Sequence, residues 1–304
     1  MPYIKKLAFA PLFLISLAFL FYFVNPFLKS TDIIFSLSLE SFYQIIILSL
    51  LLITSGIFYV LFATCSQDWK YIIPVSLLAS ILPLFFVPLN IGIILAVSTL
   101  AILILTFSML EVKLKTYLTF QPAVLLSPSV RQFTTLLIFA TSFVYFLSIN
   151  NQIQTQGFQI PESLIDTAIQ ASTPTQMPKE NNFSLPEIPQ EQLEMLKQNP
   201  QLLSQFGLDA NSLDQLIGNS SSSEDLSQNL IKNTVKDQLN QVFEPYLPII
   251  PIVLAVLFFL TLQSITAFLS ILISPLFWAT FKILEKTGFV KFATEMREVR
   301  KLVV

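Results

Sequence analysis

The sequence is dominated by long apolar runs separated by polar connections. A helix that crosses a lipid bilayer needs about 20 mostly apolar residues. Six runs approach or exceed that length, and they lie at residues 7–28, 43–63, 72–88, 91–110, 133–149 and 246–280. The pattern predicts an all-α polytopic membrane protein with six transmembrane helices, five of them within a membrane region at residues 1–149.

Prolines and short connections define the predicted ends of several spans. The third run is one of the two shortest and contains three prolines. Only Leu89 and Asn90 separate it from the fourth run, which predicts a tight helical hairpin. Before the fifth run, Ser127 and Pro128 are typical of a helix start. Residues 111–131 are then predicted to form the one substantial loop on their side of the membrane.

The first and last runs each allow two interpretations. Lys5 and Lys6 precede the first run, as they would in a signal peptide, but no small-x-small cleavage motif follows. We therefore interpret residues 7–28 as a membrane span. Apolar character at the other end continues from 247 to 281, which fits one long helix or two short spans. Since no Gly or Pro turn lies near Gln263, we expect one long helix that breaks at Pro275.

Basic residues are distributed unevenly between the two sides of the predicted bundle. With six spans, 12 Lys and Arg residues lie on the side of the termini and 5 on the other side. Because basic flanks favour the cytoplasm, we predict that both termini are cytoplasmic. The segment 150–245 is then extracytoplasmic. It is acidic, since residues 150–244 contain 12 acidic and 4 basic side chains, a net charge of −8.

Two polar segments are predicted to be helical outside the bilayer. In segment 150–245, helices are predicted at 161–171 and 223–244, with a proline-containing linker at 172–189. The apolar stripe of 223–244 suits either the core of a small helical cap or a partner surface. At the other end, apolar residues recur at helical spacing among basic ones in 281–304. This pattern predicts a cytoplasmic amphipathic helix lying on lipid or packed against a neighbouring subunit.

The composition supports a membrane protein and excludes several kinds of site. Of the 304 residues, 54% are hydrophobic and 12% charged, with mean hydropathy +0.70, whereas soluble domains contain about 25% charged residues. The chain has no histidine, which excludes histidine-based triads and histidine zinc sites. Its single cysteine, Cys65, excludes an intrachain disulfide and multi-cysteine metal sites. We predict that Cys65 is a small buried apolar residue.

The interiors of the predicted spans contain no ionisable side chain, whereas Asp68 and Glu111 lie at span ends. Hydroxyl side chains inside the spans are expected to bond preceding carbonyls of their own helices. Gln263 is larger, and we expect it to bond another helix or another copy of the chain. Nothing here resembles a nucleophile paired with a base. We predict no catalytic, cofactor-binding or metal-binding residue, no cofactor, and no enzymatic activity.

Three stretches carry a resemblance to a protein family. They are residues 110–137, the sequence Pro-Ile-Ile-Pro-Ile at 248–252 and the sequence Gly-Phe-Val-Lys at 288–291. With these, the chain resembles uncharacterised multi-pass membrane proteins of small-genome bacteria. The resemblance implies a bacterial cytoplasmic membrane and carries no activity.

Together these features predict a non-enzymatic anchor or scaffold whose extracytoplasmic segment binds or positions a partner. The alternative is a transporter or permease subunit for a hydrophobic or lipidic solute. The expected partners are the lipid bilayer, an extracytoplasmic protein and a second copy of the chain, and no nucleic acid is expected. The expected location is the bacterial cell membrane, with both termini cytoplasmic.

Overall fold

The computed structural model describes residues 2–29, 39–117, 120–156 and 244–290. These residues form helices and turns with no β-strand among them, which confirms the predicted all-α fold. Within them, six helices are long and apolar enough to cross a membrane. The first to sixth spans are Lys5–Leu28, Ser41–Ser66, Trp69–Phe86, Leu89–Thr116, Pro122–Thr155 and Ile250–Lys286.

The spans are built from nine helices in the described part of the chain. These are α1 (Pro2–Leu7), α2 (Ala10–Lys29), α3 (Leu39–Ser66), α4 (Trp69–Ile81), α5 (Pro83–Phe86), α6 (Leu89–Thr116), α7 (Pro122–Gln156), α8 (Ile250–Leu269) and α9 (Ile273–Lys286). Short 3₁₀ turns occupy Glu244–Tyr246 and Ser270–Leu272. The chain divides into two compact units, one of Met1–Gln152 with Pro251–Val304 and one of Ile153–Ile250.

The core of the first unit lies between helices whose apolar stripes face one another. In α2 the fully or almost fully buried residues include Phe13, Leu17, Leu20, Phe21 and Val24, which share one helical face. This face packs against α3, and α4 packs against α6. The opposite faces of the spans keep exposed apolar side chains, as expected where lipid is the solvent.

Gly56 permits close contact between the second and fifth spans. A β-carbon at Gly56 would lie 3.0 Å from a ring carbon of Phe133 and 3.0 Å from a methyl of Val130. One turn further along α3, the ring of Tyr59 stacks on that of Phe133, with centroids 5.5 Å apart. The small residue therefore allows large aromatic side chains to fill the space between the two helices.

The turn between the third and fourth spans lies two residues earlier than predicted. Val87 is extended, with φ −117° and ψ 149°, and α6 already begins at Leu89. The proline ring clashes with a helical conformation of the residue before it. Pro88 therefore keeps Val87 extended, and the chain turns there. The prediction that Leu89 and Asn90 form the connection is wrong, because both belong to α6.

The fifth-span helix begins earlier and the loop before it is shorter than predicted. Pro122 occupies the first position of α7, whereas Pro128 lies inside this helix. Proline fits a first helical turn because the amide hydrogen it lacks would have no partner there. Since α6 runs to Thr116, most of the predicted loop 111–131 is helical. With 35 residues, α7 extends about 52 Å, well beyond a hydrocarbon core of about 30 Å.

The sixth span is one helical rod with a local interruption. The backbone tightens to 3₁₀ geometry at Ser270–Leu272, and α9 then continues through Pro275 to Lys286. Pro275 has no amide hydrogen to offer the carbonyl of Ile271, so the preceding turn closes on nearer carbonyls instead. The predicted break therefore lies at Ser270–Leu272, one turn before Pro275, and the helix continues through Pro275.

Several predicted elements lie outside the described residues. They include the helix at 161–171, the linker at 172–189 and almost all of the helix at 223–244. The amphipathic pattern of 281–304 is described only to Val290, where α9 supplies its beginning as far as Lys286.

Candidate functional site

The centre of the first unit is filled with large side chains. Phe13, Tyr59, Phe62, Phe107 and Phe133 have no solvent exposure. Tyr59 contacts both Phe13 and Phe133, and its hydroxyl donates a hydrogen bond to the carbonyl of Leu103 in the fourth span. Aromatic rings from four different spans thus occupy the interior, which makes this region a packed core.

The fifth and sixth spans form an antiparallel pair through side chains along their length. Ser127 bonds Ser274 at one end, at 3.2 Å between their oxygens. Toward the other end the rings of Tyr145 and Phe258 lie 4.9 Å apart.

The same pairing continues in the middle of the two spans. The side-chain amide of Gln263 donates to the hydroxyl of Thr135 at 3.3 Å, and the ring of Phe139 contacts that of Phe259. The expected bond from Gln263 to another helix is confirmed, because Thr135 belongs to the fifth span. From one contact to the next, the residue numbers increase in the fifth span and decrease in the sixth. The two antiparallel helices therefore keep one register along the whole pair.

The hydroxyl groups inside the spans divide into two kinds. Thr99 and Thr141 donate to carbonyls of their own helices, as predicted. Ser55, Thr106 and Ser142 are buried and their oxygens have no hydrogen-bond partner among the described residues. The prediction that such groups bond their own helix therefore holds only for some of them.

An apolar groove runs between the fifth and sixth spans. The volume of this groove is about 420 Å³. Phe143 and Phe146 lie on one wall, and Val256 and Phe259 lie on the other. The lining is almost entirely apolar, so the groove suits a hydrocarbon chain better than a polar molecule.

The basic end of the bundle, where the first residues of the chain meet the end of α9, contains a second cavity. Lys5 donates to the carbonyls of Gly288, at 3.1 Å, and Phe289, at 3.4 Å. Phe9 also contacts the ring of Phe289, and Phe120 contacts Phe281. These contacts place the beginning of the first span and the end of the sixth on the same side, as an even number of spans requires.

This basic-end cavity has a volume of about 510 Å³ and a mixed polar and aromatic lining. Lys6 forms an ion pair with Asp68 at its edge. Gln67 has φ 52°, a left-handed conformation that costs a non-glycine residue free energy, and it turns the chain from α3 into α4. Cys65 is half-buried in the cavity wall, so the prediction of a buried apolar cysteine is only partly correct.

Next to the cavity, one carboxylate ties the third span to the fourth. Glu111 accepts a hydrogen bond from the indole of Trp69 at 3.0 Å and another from Lys115 at 2.6 Å. The indole also meets Phe107 edge-on, with centroids 4.6 Å apart. Trp and Lys at this position are typical of the headgroup layer of a bilayer.

In the parts of the chain that the structure describes, no group of three or more His, Cys, Asp or Glu side chains could hold a metal ion. Comparison with protein-family models, with curated protein sequences and with solved structures gave no significant match.

The amino-acid sequence does not predict the basic-end cavity. The sequence places the Lys5-Lys6 pair and the aromatic residues near 281–289 on one side of the membrane, but it does not show that they meet. The available signal is the pairing of a basic N-terminal flank with an aromatic C-terminal segment on that side.

Proposed function

We propose that the protein is a non-enzymatic anchor that holds its acidic segment 150–245 outside a bacterial cytoplasmic membrane, where the segment binds or positions a protein partner. The observation that supports this proposal is the registered pair of fifth and sixth spans. The chain enters segment 150–245 from the fifth span and leaves it into the sixth. The two spans are held together by three contacts, Ser127–Ser274, Thr135–Gln263 and Tyr145–Phe258. This pair gives the segment two fixed attachment points.

The packed core also favours an anchor. Fully buried rings fill the middle of the unit, and the span interiors lack ionisable groups that would move protons or attack a substrate. The uneven distribution of Lys and Arg favours cytoplasmic termini. The net charge of −8 for residues 150–244 favours a partner with a basic surface.

The orientation is tested with an impermeant thiol reagent on intact cells. In a Cys65→Ser background the only thiol is one introduced on purpose, since the chain has a single cysteine. Glu180→Cys should be labelled from outside, whereas Lys286→Cys should be labelled only after the membrane is opened. The reverse pattern would refute the proposed orientation.

The partner is tested by crosslinking in cells and purification in mild detergent. The full chain is compared with a variant in which residues 157–243 are replaced by a Gly/Ser linker. A stoichiometric partner should accompany the full chain, be released by salt and be absent from the linker variant. Identical co-purifying proteins for both chains, with the linker variant still folded, would contradict the anchor proposal.

A second candidate function is transport of a hydrophobic solute. Helix breaks before Pro83 and at Ser270–Leu272 interrupt the third and sixth spans, and discontinuous helices are common in transporters. The apolar groove between the fifth and sixth spans would suit such a solute. A co-purifying apolar solute whose flux into proteoliposomes falls in Pro83→Ala would favour this function, and unchanged flux would count against it.

A further inference from the structure

The basic-end cavity combines features that suit a phosphate group attached to an apolar body. Lys5 and Lys6 provide two ammonium groups. Among the described lining residues Asp68 is the one carboxylate, and it is already paired with Lys6. Phe120 and Phe289 supply aromatic surface beside them. A volume of about 510 Å³ falls within the range of about 300–1,000 Å³ typical of small-molecule sites.

Lys5 retains capacity to bind an anion. Its ammonium group donates to the neutral carbonyls of Gly288 and Phe289, and no carboxylate pairs with it among the described residues. An ammonium group has three N–H donors, so one is left for a ligand oxygen. The positive charge is held in place, since it also lies 5.3 Å from the centre of the Phe289 ring.

A second, independent group in the same cavity has no hydrogen-bond partner in the described structure. Ser66 is 1% exposed, and its hydroxyl has no hydrogen-bond partner in the described structure. It is one of the cavity-lining residues. Buried hydroxyl groups are nearly always hydrogen-bonded, so this one is suited to donate to a ligand oxygen.

The depth of the cavity favours a lipid as the source of the phosphate. Thr64–Asp68 follow directly after the apolar part of the second span, where a transmembrane helix is expected to reach the phospholipid headgroups. Around this end, the described segments carry eight basic residues against three acidic ones, an excess that attracts anionic lipid. They are Lys5, Lys6, Lys70, Lys113, Lys115, Arg131, Lys282 and Lys286 against Asp68, Glu111 and Glu285.

We propose that this cavity binds the phosphate headgroup of an anionic phospholipid, with Lys5 and Ser66 as ligands and Phe120 and Phe289 against the glycerol and upper acyl region. This site is independent of the proposed anchor function, because it lies at the end of the spans opposite to the points where the fifth and sixth spans connect to segment 150–245. Bound lipid would join the first, second and sixth spans at one point and stabilise their arrangement.

The single cysteine offers a direct test, because Cys65 lines the cavity and is partly exposed. The full-length protein is placed in nanodiscs of phosphatidylcholine with or without phosphatidylglycerol, and the rate of Cys65 modification by N-ethylmaleimide is measured. Phosphatidylglycerol should slow modification in the wild type. An anionic surface also lowers the local pH and slows thiol reactions generally. For each variant, the modification rate without phosphatidylglycerol is therefore divided by the rate with it, and these ratios are compared between variants.

Lys5→Gln should reduce the protection by phosphatidylglycerol about tenfold, the scale of one charge-assisted hydrogen bond. Lys70→Gln is the matched control, because it removes the same charge at the same end but is not a cavity-lining residue. Lys5→Arg should retain protection. If Lys5→Gln does not fold, Ser66→Ala provides the second variant, and native mass spectrometry of bound phosphatidylglycerol provides a second measurement.

Three results would overturn the proposal. Equal protection in wild type and Lys5→Gln would mean that the effect is a general one of surface charge. Absence of protection by phosphatidylglycerol and by every dissolved phosphate compound would show that the cavity binds no phosphate group. Protection by dissolved inorganic phosphate or glycerol 3-phosphate in phosphatidylcholine nanodiscs, without protection by phosphatidylglycerol, would show a soluble phosphate ligand and refute the lipid assignment.

Discussion

Gly56→Ala should destabilise the protein although alanine is the better helix former. A β-carbon there would lie 3.0 Å from both Phe133 and Val130, where favourable carbon contacts lie at about 3.5–4.0 Å. Both neighbours are fully buried, and the Phe133 ring is stacked on Tyr59, so neither can move freely. Overpacking of this kind costs about 1–3 kcal/mol, against about 1 kcal/mol gained in helix propensity. We expect a net loss of about 1 kcal/mol.

Gly92→Ala is the matched control for that substitution. Its β-carbon would meet Leu84 and the Val87 carbonyl at 3.4 Å, close to ordinary contact. The propensity gain should then prevail, and the free energy of unfolding should stay equal or rise by up to about 1 kcal/mol. The two variants should therefore differ by about 1–2 kcal/mol in the free energy of unfolding, although the chemical change is identical.

The assay is unfolding in mixed lipid and detergent micelles by increasing sodium dodecyl sulfate, followed by circular dichroism. Val130→Ala provides a further check, because it removes one of the two contacted side chains. In that background the cost of Gly56→Ala should fall by about 0.5 kcal/mol or more, which is a measurable coupling. A Gly56→Ala protein as stable as Gly92→Ala would refute the close contact between the second and fifth spans.

Three further substitutions test individual contacts by the same assay. Tyr59→Phe keeps the ring stack but removes the hydrogen bond to the Leu103 carbonyl, and should cost about 0.6–1.7 kcal/mol. Trp69→Phe removes the indole donor to Glu111 and should cost about 0.5–1.5 kcal/mol. Gln263→Leu should stabilise the protein by about 1 kcal/mol, because its amide oxygen is buried without a partner in the described structure, while its one hydrogen bond is long.

The Tyr59 and Trp69 substitutions each have a control that leaves the contact intact. Tyr22→Phe alters an exposed tyrosine and should change stability by less than about 0.5 kcal/mol. Trp278→Phe alters the other, exposed tryptophan and should likewise have little effect. For Gln263, Thr135→Val removes the partner and should destabilise the protein, since the amide is then left wholly unpaired. Stability equal to the controls in Tyr59→Phe or Trp69→Phe, or a destabilised Gln263→Leu, would contradict the assigned contacts.

The sequence by itself determined the all-α fold class and the six helices of the described residues that are long and apolar enough to cross a membrane. In a bilayer every backbone amide and carbonyl must be bonded within the chain, so a run of about 20 apolar residues has little alternative to a helix. The absence of histidine, the single cysteine and the uncharged span interiors exclude many kinds of site from composition alone. The expected contact of Gln263 with another helix follows from the same reasoning, since a large amide in an apolar span requires a partner.

Tertiary structure decided where helices begin and break, and which residues meet. Proline marks a local disturbance, but its position does not say on which side the helix adjusts. The boundaries predicted near Pro88, Pro128 and Pro275 are therefore each displaced by two residues or more. The basic-end cavity joins Lys5 to Phe289, residues separated by almost the whole chain. Such contacts depend on how the side chains of the spans fit together. Apolar periodicity predicts which face of a helix is buried, but it does not identify the helix that packs against that face.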